Sequence, residues 1–400
     1  MTSAKSSFLP LSVTLLSLCQ ALLVSGNILL ISVSPLLGER LAPNAWLSTL
    51  PVATQWLGLM LATIPASLIM ARLGRRRGFV LGNLVGLAGT ALAVLALAGG
   101  HFWLFALATT AIGVGIGFGQ LYRFAAVEAA PAAAKDRAIG LVMGGGVLAA
   151  FFGPWLARHS QDIATTPFLG SFIGLGALYL IALAVLSVTR LPADPVDTQA
   201  GDARPLAAIV AQPNFILAVL AAMVGFGVMN LAMTATPLAM AHAGHGFNHV
   251  SMTIQWHVLA MFAPSFVTGR LTAWLGAQRM IAIGCVLLIA SALTARWIPG
   301  LTGFNIALVL LGVGWNFTFL PATGLVTECY RPAEKAKTQA TNEFLVFSVV
   351  AITALVAGPL VNLVGWANLN AWLVPFSALP LVWLATRSLV FRRADPQIRG

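Results

Sequence analysis

The sequence predicts an all-α membrane protein: twelve transmembrane helices in two six-helix bundles. Three observations lead there. Hydrophobic residues make up 59% of the 400-residue chain and charged residues only 8%, against roughly 45–50% and 25% in soluble domains. Apolar runs of about 20 residues, the length a helix needs to cross a bilayer, recur throughout. Landmarks of the first half also return in the second at offsets near 200. Each segment must satisfy its own backbone in lipid, so runs this long, uncharged and non-alternating suit helices rather than barrel strands.

Apolar length, with the turn and charge signals between runs, places the first six spans near 9–36, 46–72, 78–99, 102–128, 137–158 and 166–189. The second six fall near 213–240, 249–272, 278–298, 303–329, 340–363 and 367–391. The longest polar stretch separates the sixes and carries Pro192, Asp194, Pro195, Asp197, Gly201, Asp202, Arg204 and Pro205. It reads as a cytoplasmic linker. The expected organisation is therefore an N-terminal bundle over 1–190, a linker over 191–212 and a C-terminal bundle over 213–400.

Basic residues orient the chain. With the N-terminus inside, 19 of the 22 Lys and Arg fall on the cytoplasmic side, and Arg40, Arg158 and Arg296 fall outside. This is the positive-inside asymmetry. The net charge of +11 then reflects topology and anionic lipid headgroups and does not call for nucleic acid. The first apolar run is too long for a signal h-region and lacks a small-residue cleavage site, so it reads as a permanent span.

Leu73-Gly74-Arg75-Arg76-Arg77 through Gly82 aligns with Leu275-Gly276-Ala277-Gln278-Arg279 through Gly284. Gly113-Val114-Gly115 answers Gly312-Val313-Gly314, and Gly153-Pro154 answers Gly358-Pro359. Internal duplication with a site between the halves is a common plan for secondary transporters. On these residues the chain resembles the major facilitator superfamily along essentially its whole length. Arg72, Gly74, Arg75 and Arg76 resemble that superfamily's gating loop between spans two and three. Ser67 stands where its first Gly is usual and Ala71 where its Asp is usual, which puts a charge relay there in doubt. Span four carries Thr109 at the position of the usual Arg.

Glu128, Glu328 and Glu343 sit near cytoplasmic helix ends, and Asp136 and Glu334 in loops. With no acid expected at mid-span, a carboxylate-centred proton cycle is disfavoured. The soft ligands are placed differently. Met229 and Met233 in span seven, and His257 and Met261 in span eight, are each four residues apart and share a helix face. A single such pair is ordinarily core filling. Here Met223, Met229, Met233, Met240, Met252 and Met261 crowd one window with His242, His245, His249 and His257. Thioether and imidazole together favour copper(I). Antiparallel spans would bring Met229 level with Met261 and Met233 level with His257 near mid-membrane. Met240, His242, His245 and His249 form a possible metal entrance between those spans; a plain polar turn is the competing reading.

The paired motifs, with Gln120-Leu121-Tyr122-Arg123-Phe124-Ala125-Ala126 and Gly314-Trp315-Asn316-Phe317, resemble the CcoA-like copper transporters of bacteria. That resemblance implies copper import across the bacterial cytoplasmic membrane by alternating access, with both termini cytoplasmic. It further implies supply to cbb3-type cytochrome c oxidase assembly, with a copper chaperone or oxidase assembly factor downstream. Copper would be the substrate; no prosthetic group is expected.

Two other readings stay open. One is a carrier for an organic solute, such as a riboflavin-like vitamin, siderophore or drug, with a cavity lined by Trp and Phe and with the methionines as adaptable walls. The other is a membrane metal sensor or assembly factor. Cys19, Cys285 and Cys329 form no Cys-x-x-Cys pair and suggest buried small residues, with metal exit at Cys329 the lesser alternative. The absence of a P-loop or a catalytic triad pattern argues against an enzyme.

Overall fold

The apolar runs fold as helices whose ends fall at glycines, prolines and short polar turns. A computed structural model describes residues 9–131, 135–191 and 203–394. In chain order the helices are α1 (Leu11–Leu41), α2 (Leu50–Leu73), α3 (Arg75–Gly99), α4 (Phe102–Gly119), α5 (Tyr122–Ala129), α6 (Lys135–Ser160) and α7 (Leu169–Val188). There follow α8 (Leu206–Val210), α9 (Pro213–His242), α10 (Phe247–Phe262), α11 (Ser265–Leu275), α12 (Ala277–Trp297), α13 (Gly300–Glu328) and α14 (Lys335–Ala394). Among the described residues no strand occurs, and nine helices are long and apolar enough to span a membrane, or ten with α10 and α11 as one bent span.

Three differences from the expected spans have local causes. Span four breaks at Gln120 and Leu121, dividing α4 from α5. Span eight bends by 41° between α10 and α11, where Pro264 follows the last residues of α10 and removes a backbone donor. Spans eleven and twelve run together as the 60-residue α14, interrupted at Gly365 with φ 74°. A straight helix of that length would be about 90 Å long, three times the hydrocarbon thickness, so the left-handed glycine is where the chain reverses. Of the linker, 192–202 lie outside the described residues, as do Lys5 and Arg399; its last part forms the short α8, which the sequence reading did not anticipate.

The internal repeat is visible in the backbone. Gly74 and Gly276 close α2 and α11 with φ of 85° and 86° and ψ of 151° and 149°, a region open to glycine and strained for other residues. Small residues let the helices approach closely. A Cβ on Gly113 of α4 would collide with the Gln55 carbonyl of α2, and one on Gly314 of α13 would meet the Leu288 amide of α12 at 3.0 Å. Buried hydroxyls bond back along their own helices: Ser25 to the Ala21 carbonyl at 2.7 Å and Thr90 to Gly86 at 2.9 Å. No polar side chain of this kind need face lipid unpaired.

The two sets of helices meet chiefly where α2 packs against α14, α6 against α10, and α1 against α9. At the end carrying the α1–α2 turn they are tied by polar bonds. Thr49 donates to the Leu355 carbonyl at 3.1 Å and accepts from the Gly358 amide at 3.0 Å. Ser251 donates to the Pro154 carbonyl at 3.0 Å, and His242 Nε2 meets Glu39 at 2.7 Å. Phe168, held at φ 64°, packs edge-on to Phe247 at 4.8 Å with the Arg40 guanidinium over its ring. A side chain on Gly358 would strike Ser48 and Thr49, so the closeness of this joint depends on that glycine. The opposite end carries the linker. There Arg204 clamps Glu334 at 2.7 Å, and Arg75 pairs with Glu128 at 2.7 Å.

Arg204 holds the Glu334 carboxyl well below the usual carboxylate range, helped by the Arg331 and Arg204 amides. A depressed folded value means the contribution is complete above the unfolded pKa of about 4.3 and fades as pH falls through the folded value. Glu334→Gln should therefore lower the melting temperature in detergent by several degrees at pH 7 and much less at strongly acidic pH, as read by scanning fluorimetry. At the other end, Thr49→Val removes two bonds of about 1 kcal/mol each. Maleimide labelling of a cysteine placed at the buried Ser48 should rise about tenfold in that background.

A central aromatic box between the helix bundles

Below the closed joint, the centre of the molecule is built from rings. Phe226 lies near the midpoint of α9 and Trp315 near that of α13; Trp56 arrives from α2 and Phe347 from α14. Phe226 presents edges or faces to four neighbours: Trp56 at 5.7 Å and 86°, Trp315 at 5.7 Å and 84°, Phe319 at 5.3 Å and 80°, and Phe347 at 6.0 Å and 68°. Trp56 stacks on Phe347 at 6.1 Å, and Trp315 stacks on Phe319 at 5.1 Å. Phe262 completes this group edge-on to Trp315 at 6.2 Å. Each favourable ring pair adds about 0.5–1.5 kcal/mol beyond area burial, so the box is a stiff unit assembled from five helices and both parts of the chain.

Its chemistry is apolar with isolated polar atoms. The Trp56 and Trp315 indole nitrogens are buried with no hydrogen-bond partner. Gln55 donates to Asn27 at 2.6 Å, which leaves its own Oε1 without a donor. Gln20, Val24 and Asn27 form a half-buried stripe along α1. Flat apolar faces with a few orphan donors and acceptors suit an aromatic heterocycle with polar edges.

The four proposed metal ligands are all buried: Met229 is 3% exposed, Met233 4%, His257 0% and Met261 7%. Span ten, now α13, packs against both their helices, although α9 meets α14 more extensively, and α9 and α10 touch one another far less. The His257 Nδ1 bonds the Leu308 carbonyl of α13 at 2.7 Å, and its Nε2 has no partner. Asn316 of α13 donates to the Met261 carbonyl at 2.7 Å. Met229 and Met233 lie one and two turns beyond Gly225, whose Cα faces Thr318 of α13. Both helices thus pack against α13, and the direct contact between them is slight. No group of three or more His, Cys, Asp or Glu able to hold a metal occurs among the described residues.

In the proposed entrance, Met240 is fully buried, while His242 is engaged by Glu39. His245 lies edge-on to His249 at 6.0 Å and to Phe304 at 6.0 Å. Of the gating loop, Arg72 ends α2 and Gly74 turns the chain. Arg75 binds Glu128, and Arg76 donates to the Leu186 carbonyl at 3.0 Å and to that of Ser187. The loop therefore ties α3 to α5 and α7.

Sequence reasoning named Trp315 only within the Gly314-Trp315-Asn316-Phe317 stretch and did not single out Trp56, Phe226, Phe319 and Phe347, because the five follow no common spacing. The available signal was only that each stands well inside an apolar run. The Thr49 joint carried no signal.

The Major Facilitator Superfamily model matches residues 16–354. The chain is 42% identical over 385 residues to the riboflavin transporter RfnT of Brucella anthropi, covering 94% of this chain and 95% of that protein. It is 29% identical to YddS of Bacillus subtilis, an uncharacterized MFS-type transporter, over 79% of this chain and 76% of that one. Among solved structures, the nucleoside transporter NupG superposes with TM-score 0.73 at 14% identity, covering 94% of this chain and 99% of its own. A D-xylose-proton symporter gives TM-score 0.70 at 14% identity, over 93% and 96%. These two likenesses bear on the fold.

The relationship to a riboflavin transporter overturns copper import, and with it the supply of copper to an oxidase and the copper partners. The physical reason the motif misled is that thioethers at helical spacing are also what fills an irregular seam against a neighbouring helix. The repeat, the helix order and the family match over most of its length agree: the chain is a multi-pass membrane transporter of the Major Facilitator Superfamily.

Proposed function

We propose that this chain is a carrier for riboflavin or a closely similar flat, polar-edged vitamin, taken up across a bacterial cytoplasmic membrane with both termini inside. The observation that carries this reading is the 42% identity to a riboflavin transporter, which extends over nearly the whole of both chains. The central box agrees with it chemically, since its stacked rings suit a flat heterocycle better than an ion. Residues 1–190 and 213–400 are the two rocking units and 191–212 the tether between them. In the orientation favoured by the basic residues, the Thr49 joint lies at the outer face.

Alternating access then consists of breaking the joint at one end and closing the other around a centrally held substrate. Arg72, Gly74, Arg75 and Arg76 fasten the α2–α3 turn within the first unit, so that it moves as one body. Met229, Met233 and Met261 are adaptable walls beside the box, and His257 is a brace between α10 and α13 through its bond to Leu308. In this reading Met240, His242, His245 and His249 belong to the outer lid, where His242 bridges the units through Glu39.

Uptake of radiolabelled riboflavin by a riboflavin-auxotrophic bacterium expressing the chain tests this. Saturable accumulation well above the empty-vector level is expected, with cellular copper unchanged. Phe226→Ala should abolish most uptake at matched membrane abundance, whereas Met233→Leu, which keeps the volume, should change it less than about threefold. Absence of riboflavin uptake by the wild type would reject the reading.

A further inference from the structure

The carrier reading leaves open what fixes the orientation and identity of the bound ring, and two atoms of the box address it. We propose that Trp56 and Trp315 are substrate-orienting residues whose indole N–H groups, one from each half of the chain, donate hydrogen bonds to the carbonyl oxygens of a flat heteroaromatic substrate. The proposal rests on the flavin-carrier reading and adds to it a recognition chemistry and two named donors.

Indole nitrogen only donates, and a buried indole N–H normally finds an acceptor. Trp56 and Trp315 are each 5% exposed, and neither nitrogen has a partner among the described residues. The two orphans are not scattered. Both rings stand nearly perpendicular to Phe226, each with its centroid 5.7 Å away, and each is backed by a stacked phenyl ring, Phe347 for Trp56 and Phe319 for Trp315. Such backing fixes the plane of each indole and therefore the direction of its N–H, which is the preorganisation that makes a single hydrogen bond selective.

The pyrimidine ring of an isoalloxazine carries two carbonyl oxygens, strong acceptors in the plane of the heterocycle. A substrate engaging both donors would be held by α2 on one side and α13 on the other. Binding would then favour the conformation in which the halves are close, which ties recognition to the transport cycle. A sugar or a metal ion offers no rigid in-plane pair of carbonyls, so the same donors would discriminate against these.

The test uses the full-length protein in proteoliposomes, with riboflavin, 2-thioriboflavin and 4-thioriboflavin as probes; sulfur replaces one carbonyl oxygen at a time and accepts hydrogen bonds weakly. Wild type should prefer riboflavin over each thio analogue by about tenfold in KM, the loss expected for one buried hydrogen bond. Trp56→Phe and Trp315→Phe keep an aromatic ring and remove the donor. Each should raise the riboflavin KM about tenfold, and each should erase the preference at one carbonyl position while preserving it at the other. Trp383→Phe, which also removes a partnerless buried N–H but from α14 beyond Gly365, should leave both preferences intact.

A wild type that takes the thio analogues as well as riboflavin overturns the proposal without recourse to any variant. A loss shared equally by riboflavin and both analogues in the Phe variants also overturns it, since that is the signature of disturbed packing. Either result leaves the carrier reading standing. Failure of the wild type to transport riboflavin removes both.

Discussion

A single threonine holds two backbone groups of the opposite helix set, the Leu355 carbonyl and the Gly358 amide, and this junction governs how the rest of the molecule is arranged. Because Thr49 lies at the turn between α1 and α2, its bonds draw the tops of two first-half helices against α14. The glycine at 358 allows the approach, and Ser251 makes a parallel tie between α10 and the carbonyl of Pro154 in α6. In net terms each such bond contributes about 1 kcal/mol. A joint of a few bonds this weak can be exchanged for a closure elsewhere at modest cost.

The joint ties the two halves together at one end of the molecule, and the aromatic box lies toward its centre. Phe226 is the hub: with its ring edge-on to both tryptophans, displacement of α9 is felt by α2, α13 and α14 together. The box is part of the mechanical contact between the halves and, in the proposed reading, also the surface for a flat ligand. That double role explains why rings are used there in place of the ionisable groups common in proton-driven carriers. Among the described residues, charged side chains cluster at the helix ends instead, where Arg204 and Glu334 bind the linker to the start of α14, and Arg75 and Glu128 bind α3 to α5.

Much of this was legible in the sequence. Run length and charge gave helices whose limits agree with the structure to within a few residues, and the Gly74 and Gly276 landmarks turned out to share one left-handed backbone geometry. Breaks inside spans were less legible: Pro264 and Gly365 stand in the sequence, but neither residue type alone says whether it bends a span, as at Pro264, or reverses the chain, as at Gly365. The functional site divides along the same line. Methionines and histidines at i, i+4 are conspicuous in one dimension, yet their spacing is equally that of a packed seam, and both of their helices pack against α13. The box residues come from positions 56, 226, 315, 319 and 347, which only the three-dimensional packing unites. Composition pointed to an apolar cavity with Trp and Phe walls as one option but could not say which rings would form it.

Equilibrium binding to the purified protein bears most directly on the claim that a flavin occupies the box between the halves. Flavin fluorescence is quenched when the ring stacks on an aromatic side chain. Titrating riboflavin with the detergent-solubilised chain should give saturable quenching with one site per chain, lost in Phe226→Ala and retained in Thr49→Val. Quenching that is absent, or that is the same with and without the Phe226 ring, would contradict the account and move the substrate site away from the centre of the molecule.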